Sequence, residues 1–367
     1  LRKGNSAFVD EKWAPYSDQW AKLFATKRLS KIEIDDFIKA WCPENDTMGM
    51  FQSDNVDEPE EESPLLFGKS PKASPFNFKS SDATSPVQII LADGIYIDKR
   101  DVKPRLQNAI RRLAAYSNPQ FYQNLALGFS NNKTPRIVYD GYDEGNHLVI
   151  PRGCFDELKS HLYEAEIPCR IIDKRQSGRA INVSFNGTLY QEQLVAAERL
   201  SAHDIGILAA ATAFGKTVIG AYLIARRKVN TLVLVNSAEI MNNWVQDLDR
   251  FLTIQEELPT YTTPKGRIKR RASVIGTFSS QKKAATGIID IAMIGSLGKE
   301  DNINPMVRDY GMVIVDECHH AAATTFENVL RASAAKYVYG MSATVKRGDK
   351  QERRLFMQLG PIRYRYT

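Results

Sequence analysis

The feature that most constrains this chain is a short loop, residues 211–217 (ATAFGKT), set between two apolar stretches. The stretch before it, residues 205–209, has the composition of a buried strand, and a helical pattern begins after Gly215-Lys216-Thr217. The loop fits the phosphate-loop pattern G-x-x-x-x-G-K-[ST], except that Ala210 replaces the first glycine. The order strand, loop, helix predicts a phosphate loop; the alternative is a chance turn before a surface helix.

A phosphate loop binds nucleotides because its backbone N–H groups and the helix N-terminus behind it attract anionic oxygens. Lys216 is expected to reach the β- and γ-phosphates, and the Thr217 hydroxyl is expected to bind Mg²⁺. ATP and Mg²⁺ are therefore the predicted ligands. The predicted contacts of the loop are Thr212, Ala213, Phe214, Gly215, Lys216, Thr217 and Val218.

A second motif follows about 100 residues later, where Asp316 and Glu317 end the apolar run 313–315. At the carboxyl end of a strand beside the phosphate-loop strand, Asp316 would bind the metal and Glu317 would orient the attacking water. Alone, such a pair is usually an exposed loop or a helix cap. Its position after a phosphate loop favours ATP hydrolysis, with Glu317, Asp316 and Lys216 as the catalytic residues.

The composition suits a protein of two or more domains, with 367 residues, 43% hydrophobic and 25% charged. The formal charge of +6 is compatible with a polyanionic partner. No apolar run approaches the ~18 residues of a membrane span, so we predict a cytoplasmic protein without a membrane partner. The four cysteines show no metal-ligand spacing and are interpreted as reduced thiols: Cys42, Cys154, Cys169 and Cys318.

Four regions are predicted along the chain. Residues 1–40 form a short helical piece with too small a core to fold alone, interpreted as the end of an upstream domain. Residues 41–85 are acidic and then rich in Ser and Pro, which predicts a disordered linker. Residues 86–185 mix strands and helices as a small α+β accessory domain. Residues 186–367 alternate strands and helices, which predicts an α/β fold with a parallel sheet.

Cations and aromatic rings occur together in one helical region of the accessory domain. Arg111 and Arg112 precede Tyr116, Phe121 and Tyr122, a combination that single-stranded nucleic acid can use through phosphate contacts and base stacking. Aromatic side chains in helices are usually buried, and arginines are often solvated. We favour a core role for the rings and retain the two arginines as candidate nucleic-acid contacts.

Six motifs in order resemble the first RecA-like domain of superfamily 2 helicases of the DEAD/DEAH type: YQEQLVAA, ATAFGKT, TLVLVNSAEIMNNW, IDIAMIGSL, VIVDECHH and GMSATVKRGD. The resemblance implies that Gln193 reads adenine and that Ser342 and Thr344 couple the ATP site to DNA. It also implies contacts to the nucleic-acid backbone after residue 235 and around residues 294–297, with Ser237, Gly295 and Ser296 as the candidates.

The wider sequence is similar to helicases that carry an archaeo-eukaryotic-type primase domain, as in TOTE conflict systems. Residues 1–40 would then be the end of the primase domain. Three positions depart from the helicase pattern: Asn236-Ser237 replaces a His-Arg type pair, Gly295 replaces a Gln, and Val345 replaces a Pro. These positions serve DNA contact and interdomain coupling in the family, so the departures bear on those roles more than on ATP binding.

The resulting expectation is an ATP-dependent DNA helicase or translocase. Enzymes of this superfamily hydrolyse ATP between two RecA-like domains, and the second domain supplies an arginine finger. Only 23 residues follow Thr344, so we expect this chain to bind Mg·ATP and to hydrolyse it slowly. Two alternatives stay open: a nucleotide-dependent DNA-binding or assembly module that does not unwind, and the motor subunit of a restriction-like nuclease.

Overall fold

The computed structural model describes residues 78–263, 265–299, 302–318, 323–343 and 352–366. The predicted primase remnant 1–40, most of the predicted linker 41–85, and Thr344 lie outside these residues. Within the described part, residues 78–173 and 174–366 are called the amino-terminal and carboxyl-terminal subdomains below.

The amino-terminal subdomain is built on a five-stranded sheet in the order β5-β6-β2-β1-β7. Strand β1 pairs antiparallel with β2 and parallel with β7. Val87, Ile89 and Leu91 are buried on one face, where helices α1 and α3 cover them. Its elements are β1 Val87–Leu91, β2 Ile95–Asp98, α1 Pro104–Leu113, β3 Ala115–Ser117, α2 Pro119–Ala126, β4 Ile137–Tyr139, β5 Tyr142–Glu144, β6 His147–Ile150, α3 Phe155–Glu164 and β7 Cys169–Asp173.

The last residues of the predicted linker 41–85 are ordered, which corrects that prediction for residues 78–85. Ser80–Asp82 form a 3-10 turn, and the buried Asp82 accepts a hydrogen bond of 2.9 Å from Arg105 Nη1. Phe78 packs against the core of the amino-terminal subdomain. The Ser- and Pro-rich composition did not predict this ordered segment, because the residues that stabilise it lie elsewhere in the chain.

The carboxyl-terminal subdomain is a parallel α/β sheet, as predicted. Its eight strands run in the order β15-β14-β16-β10-β19-β20-β9-β21, and β15 is the antiparallel strand at one edge. Its elements are β8 Val183–Phe185, α4 Gln191–Ser201, β9 Ile205–Ala210, α5 Lys216–Arg227, β10 Thr231–Val235, α6 Ala238–Phe251, β11 Leu252–Ile254, β12 Thr260–Thr262, β13 Ile268–Arg270, β14 Ile275–Phe278, β15 Lys283–Ala284, β16 Ile289–Met293, β17 Gly298–Lys299, β18 Asn302–Ile303, β19 Met312–Val315, α7 Ala323–Ala332, β20 Tyr337–Ser342, α8 Glu352–Leu359 and β21 Ile362–Tyr366.

Both faces of this sheet are buried, which explains its uninterrupted apolar strands. In β9, Leu208 and Ala210 contribute to the core covered by α4, α5 and α6, whereas Ile207 and Ala209 face the core covered by α7 and α8. Because the central strands are parallel, their carboxyl ends meet at one edge of the sheet. The loops that carry the predicted site residues therefore converge there.

Strand β8 belongs to the carboxyl-terminal subdomain, and Gly153 marks a close contact between the two subdomains. Strand β8, which the predicted domain 86–185 includes, pairs with β11 and contributes Val183 to the core of the carboxyl-terminal subdomain. Gly153 approaches helix α8 so closely that an added Cβ would lie 2.0 Å from the Phe356 carbonyl oxygen. A side chain at residue 153 would therefore separate α8 from the amino-terminal subdomain. No helix among the described residues is long and apolar enough to cross a membrane.

Candidate nucleotide site

The phosphate loop connects the end of β9 with the first residue of α5. Gly215 caps α5 at φ +87°, and Ala213 has φ +71°. A Cβ on Gly215 would lie 2.5 Å from Gln193 Nε2. Glycine is thus required here both by the left-handed backbone and by the close approach of Gln193.

The loop presents a row of backbone N–H groups that have no acceptor among the described residues. They belong to Thr212, Ala213, Gly215, Lys216, Thr217 and Val218. Unpaired donors at the start of a twelve-residue helix form an anion site, to which the helix dipole adds partial positive charge. The loop is therefore suited to phosphate, although Ala210 occupies the position of the usual first glycine.

Lys216 connects the phosphate loop to the acidic pair. Its Nζ donates to the carbonyl oxygens of Ala210 at 3.2 Å and Ala211 at 3.5 Å. The same atom lies 3.5 Å from Glu317 Oε1. The ammonium group is thus held between the loop and the acidic pair, where a triphosphate would be bound.

Asp316 follows β19 and is only 8% exposed. Its Oδ2 accepts a hydrogen bond of 2.7 Å from Trp244 Nε1, and its Oδ1 accepts one of 2.9 Å from the Glu317 N–H. Burial raises the pKa of Asp316, whereas the bond from Trp244 opposes that rise. A buried carboxylate beside a phosphate loop is suited to a divalent cation, which would offset the cost of burying its charge.

Trp244 is a site residue that sequence reasoning missed. It lies on α6 and is almost fully buried. Gly220 on α5 makes room for the indole, because a Cβ there would lie 2.5 Å from Trp244 Cη2. The available signal was a glycine inside a helical pattern, which indicates close packing when it is not a cap.

Gln193 packs directly against the phosphate loop. Its Oε1 accepts from the Tyr190 N–H at 3.0 Å, and its Nε2 donates to the Phe214 carbonyl at 2.7 Å. The side chain therefore closes the first turn of α4 and fixes the loop at the same time. Its role in reading adenine stays a prediction.

The remaining loop and coupling residues surround this centre. The Phe214 ring lies 4.4 Å from the Tyr366 ring of β21. Ser342 is buried at the end of β20, and the neighbouring Ala343 N–H donates to Glu317 Oε2 at 3.5 Å. The residue that follows β20 thus contacts Glu317, and the coupling role of Ser342 stays a prediction.

The predicted nucleic-acid residues fall in two places. Ser237 follows β10, and Gly295 and Ser296 form a 3-10 turn after β16. These strands are parallel neighbours, so both segments lie at the same edge of the sheet. Ser237 Oγ accepts from the Ile240 N–H at 3.2 Å and thereby caps α6, which is a structural use of this side chain.

Arg111 and Arg112 lie on α1 of the amino-terminal subdomain, whereas the other candidates lie on the carboxyl-terminal subdomain. Arg111 Nη2 is already paired with Asp143 at 3.0 Å, and Arg112 is exposed. Tyr116 packs against the core of this subdomain, as the core interpretation of the rings expects, whereas Phe121 and Tyr122 are only half-buried on α2, which has no fully buried residue. The structure therefore does not bring these arginines together with the nucleotide site.

Known proteins were compared with the chain. The family described as "Type III restriction enzyme, res subunit" matches residues 168–347. DNA 3'-5' helicase XPB of Mycobacterium tuberculosis is 24% identical over 286 residues, covering 71% of this chain and 48% of the relative. A protein of Acanthamoeba polyphaga mimivirus, named as a candidate ATP-dependent RNA helicase, is 24% identical over 63% of this chain and 42% of the relative.

In fold, the UvsW helicase of bacteriophage T4 covers 77% of this chain with a TM-score of 0.53 at 13% identity, which shows similarity of fold alone. The chain spans about half or less of the length of the curated relatives it matches. In sequence and fold the chain is therefore similar to superfamily 2 helicases over its parallel α/β sheet.

Proposed function

We propose that the chain is the ATP-binding half of a DNA helicase or translocase. The observation that carries this proposal is the contact between Lys216 and Glu317, 3.5 Å apart, beside a loop of unpaired N–H groups. This contact brings the phosphate-loop motif and the acidic motif together at one edge of the sheet, which supports nucleotide hydrolysis. The names of the helicase relatives add support for DNA as the substrate.

Each side chain of the site has a defined role in this proposal. The loop N–H groups and Lys216 bind the phosphates, and Thr217 with Asp316 would hold Mg²⁺. Bound there, Mg²⁺ would supply positive charge to offset the negative charge of the transferred phosphoryl group. Glu317 holds the attacking water and keeps it aligned, since its carboxylate is tied to Lys216 on one side and to the Ala343 N–H on the other.

Fast turnover is proposed to need a second RecA-like domain. An arginine finger stabilises the transition state by a factor of about 10³ to 10⁵ in rate. We therefore expect this chain to bind Mg·ATP and hydrolyse it slowly, and a protein that contains the second domain to hydrolyse it rapidly with DNA. Closure of the two domains around ATP would move the protein along one strand.

Steady-state ATP hydrolysis tests this proposal. The chain and a longer version that includes the second domain are assayed with and without single-stranded DNA, with Lys216→Ala and Glu317→Gln as controls. We expect DNA-stimulated hydrolysis only in the longer protein, abolished by both substitutions. A longer protein that binds ATP and DNA without hydrolysis would instead support the nucleotide-dependent binding module.

Direction and context extend the proposal. Several relatives are named 3'-5' helicases, so we propose 3'-to-5' movement. Strand displacement from duplexes with a 3' or a 5' tail distinguishes the two directions. The motif resemblance supports a primase-helicase of a conflict or defence system, acting in the cytoplasm, and primer synthesis by the longer protein tests that context.

The description of the matched family favours one further candidate, the motor subunit of a restriction-like nuclease. This function requires a nuclease domain or partner that acts with the motor. ATP-dependent cleavage of long DNA by the longer protein or its complex would support it, and unwinding without cleavage would support the helicase.

A further inference from the structure

A cavity of about 220 Å³ lies between the two subdomains, at the end of strand β9 opposite to the phosphate loop. It is bordered by Ile205, the first residue of β9, whereas the phosphate loop follows the last residue of that strand. A six-residue strand spans roughly 17 Å from its first to its last Cα. The cavity is therefore separate from the nucleotide site. Its charged and polar lining consists of Arg152, Arg175, Arg363, His203, Asp156 and Asp204.

Arg152 is the unusual group in this lining, because it is only 6% exposed and has no carboxylate partner among the described residues. Its Nη2 donates to the carbonyl oxygens of Asp93 at 2.9 Å and Leu330 at 2.8 Å, and to that of Ser333. Its Nε and Nη1 have no hydrogen-bond partner. A buried guanidinium with two unused donor nitrogens is costly unless something else accepts from them.

The other cations of the cavity are neutralised by neighbouring carboxylates. Arg175 pairs with Asp204 at 2.8 Å, and Arg363 pairs with Asp156 at 2.5 Å. Arg175 also pairs with Asp173, which in turn lies 3.8 Å from Lys336. Burial lowers the pKa of Arg152 to about 10, so its guanidinium remains charged at neutral pH. Among the described residues Arg152 forms no direct ion pair, and the nearby carboxylate of Asp93 offsets its charge only from a distance.

We propose that this cavity binds a small oxyanion of the phosphate class, held by Arg152 Nε and Nη1. A guanidinium presents its donors in a planar fork that suits two oxygens of one phosphate. The volume of the cavity accommodates a phosphate group. The site does not depend on the proposed helicase activity, because its residues are not part of the nucleotide site.

Binding of an oxyanion would also affect the contacts that the third guanidinium nitrogen, Arg152 Nη2, makes with the carboxyl-terminal subdomain. The carbonyl groups of Leu330 and Ser333, which Nη2 contacts, lie at the carboxyl end of helix α7. An oxyanion on Nε and Nη1 would fix the same guanidinium from the other side. A bound oxyanion should therefore stabilise the junction of the subdomains and raise the melting temperature. Above Kd, this stabilisation should grow with the logarithm of the anion concentration.

The test uses the whole chain with its phosphate loop saturated by Mg·ADP. Inorganic phosphate and glycerol 3-phosphate are titrated by calorimetry and by thermal melting. We expect saturable binding of one equivalent, weakened at least tenfold by Arg152→Gln. Tighter binding of glycerol 3-phosphate would assign the site to a phosphomonoester, and tighter binding of inorganic phosphate would assign it to the free ion.

A matched pair of variants at an exposed residue provides a second test, which does not require the Arg152 variant to fold. Ala202 is an exposed residue at the cavity wall, so Ala202→Glu adds a carboxylate there and Ala202→Gln is its neutral counterpart. We expect phosphate binding to be lost in Ala202→Glu and retained in Ala202→Gln. Equal affinities in the pair, no saturable binding in the wild-type chain, or a crystal soaked in tungstate that shows only water beside Arg152 would overturn the proposal.

Discussion

Replacing Trp244 with Phe isolates one hydrogen bond of the nucleotide site. The substitution keeps an aromatic ring in the buried space and removes the Nε1–H that donates to Asp316 Oδ2 at 2.7 Å. A hydrogen bond to a charged group contributes about 1.5–3 kcal/mol. If Mg²⁺ binding loses about 1.5 kcal/mol, the lower end of that range, the affinity falls about tenfold.

The loss of Mg²⁺ affinity in Trp244→Phe should be larger at acidic pH than at alkaline pH. Burial already raises the pKa of Asp316, and the bond from Trp244 opposes that rise. Without the bond the pKa rises further, so the carboxylate is protonated over a wider range of acidic pH and competes less well for a cation. The defect should therefore be largest at the acidic end and diminish as the pH increases.

Equilibrium binding of a fluorescent ATP analogue, with and without Mg²⁺ between pH 5.5 and 8.5, measures this effect. ATP binding without Mg²⁺ should be unchanged in Trp244→Phe, because the loop N–H groups and Lys216 are intact. Leu248→Val, another buried change on α6, is the packing control and should leave the Mg²⁺ dependence unaltered. Equal Mg²⁺ dependence in wild type and Trp244→Phe at every pH would refute the role assigned to the indole.

Four further substitutions test other parts of the structure. Gly220→Ala should lower the free energy of unfolding by about 1–3 kcal/mol in urea denaturation, because the added Cβ meets the Trp244 indole; increased stability would contradict this packing. Asp140→Asn should stabilise the chain at pH 7 by about 3 kcal/mol and have no effect near pH 3. Burial raises the pKa of Asp140 in the folded chain to about 6, so the stability that the protonated carboxyl contributes is lost as the pH rises through that value. Equal gains in the free energy of unfolding at both pH values would exclude this explanation. Lys216→Ala should abolish ATP binding whereas Glu317→Gln should retain it, as measured with the same fluorescent analogue; parallel losses would contradict their separate roles.

The sequence was informative where a function depends on a short local pattern. The phosphate loop and the acidic pair each adjoin a buried strand, and alternating strands and helices imply a parallel sheet, so the edge where both motifs meet follows from topology. Trp244 and Arg152 were missed for the opposite reason. Their roles depend on partners 72 and 178 positions away, and no spacing rule relates such residues before the chain folds.

The order of residues 78–85 and the pairing of β8 have the same origin. Asp82 is held by Arg105, and β8 adds to β11, so neither segment carries its own stabilising contacts. A composition rich in Ser and Pro predicts disorder correctly only when no distant cation or strand is available to pair with it. Tertiary contacts therefore determine the structure of both residues 78–85 and strand β8.

The contacts around Trp244 also explain how phosphate binding and metal binding can act as one unit. Helix α5 begins at the phosphate loop and carries Gly220, against which the indole packs. The indole in turn donates to Asp316, and the adjacent Glu317 contacts both Lys216 and Ala343. A displacement of α5 by bound phosphate would therefore shift the indole together with the Asp316 carboxylate, the proposed metal ligand. Tightly packed groups cannot move independently, so the site should change state as a whole, as the proposed motor would require.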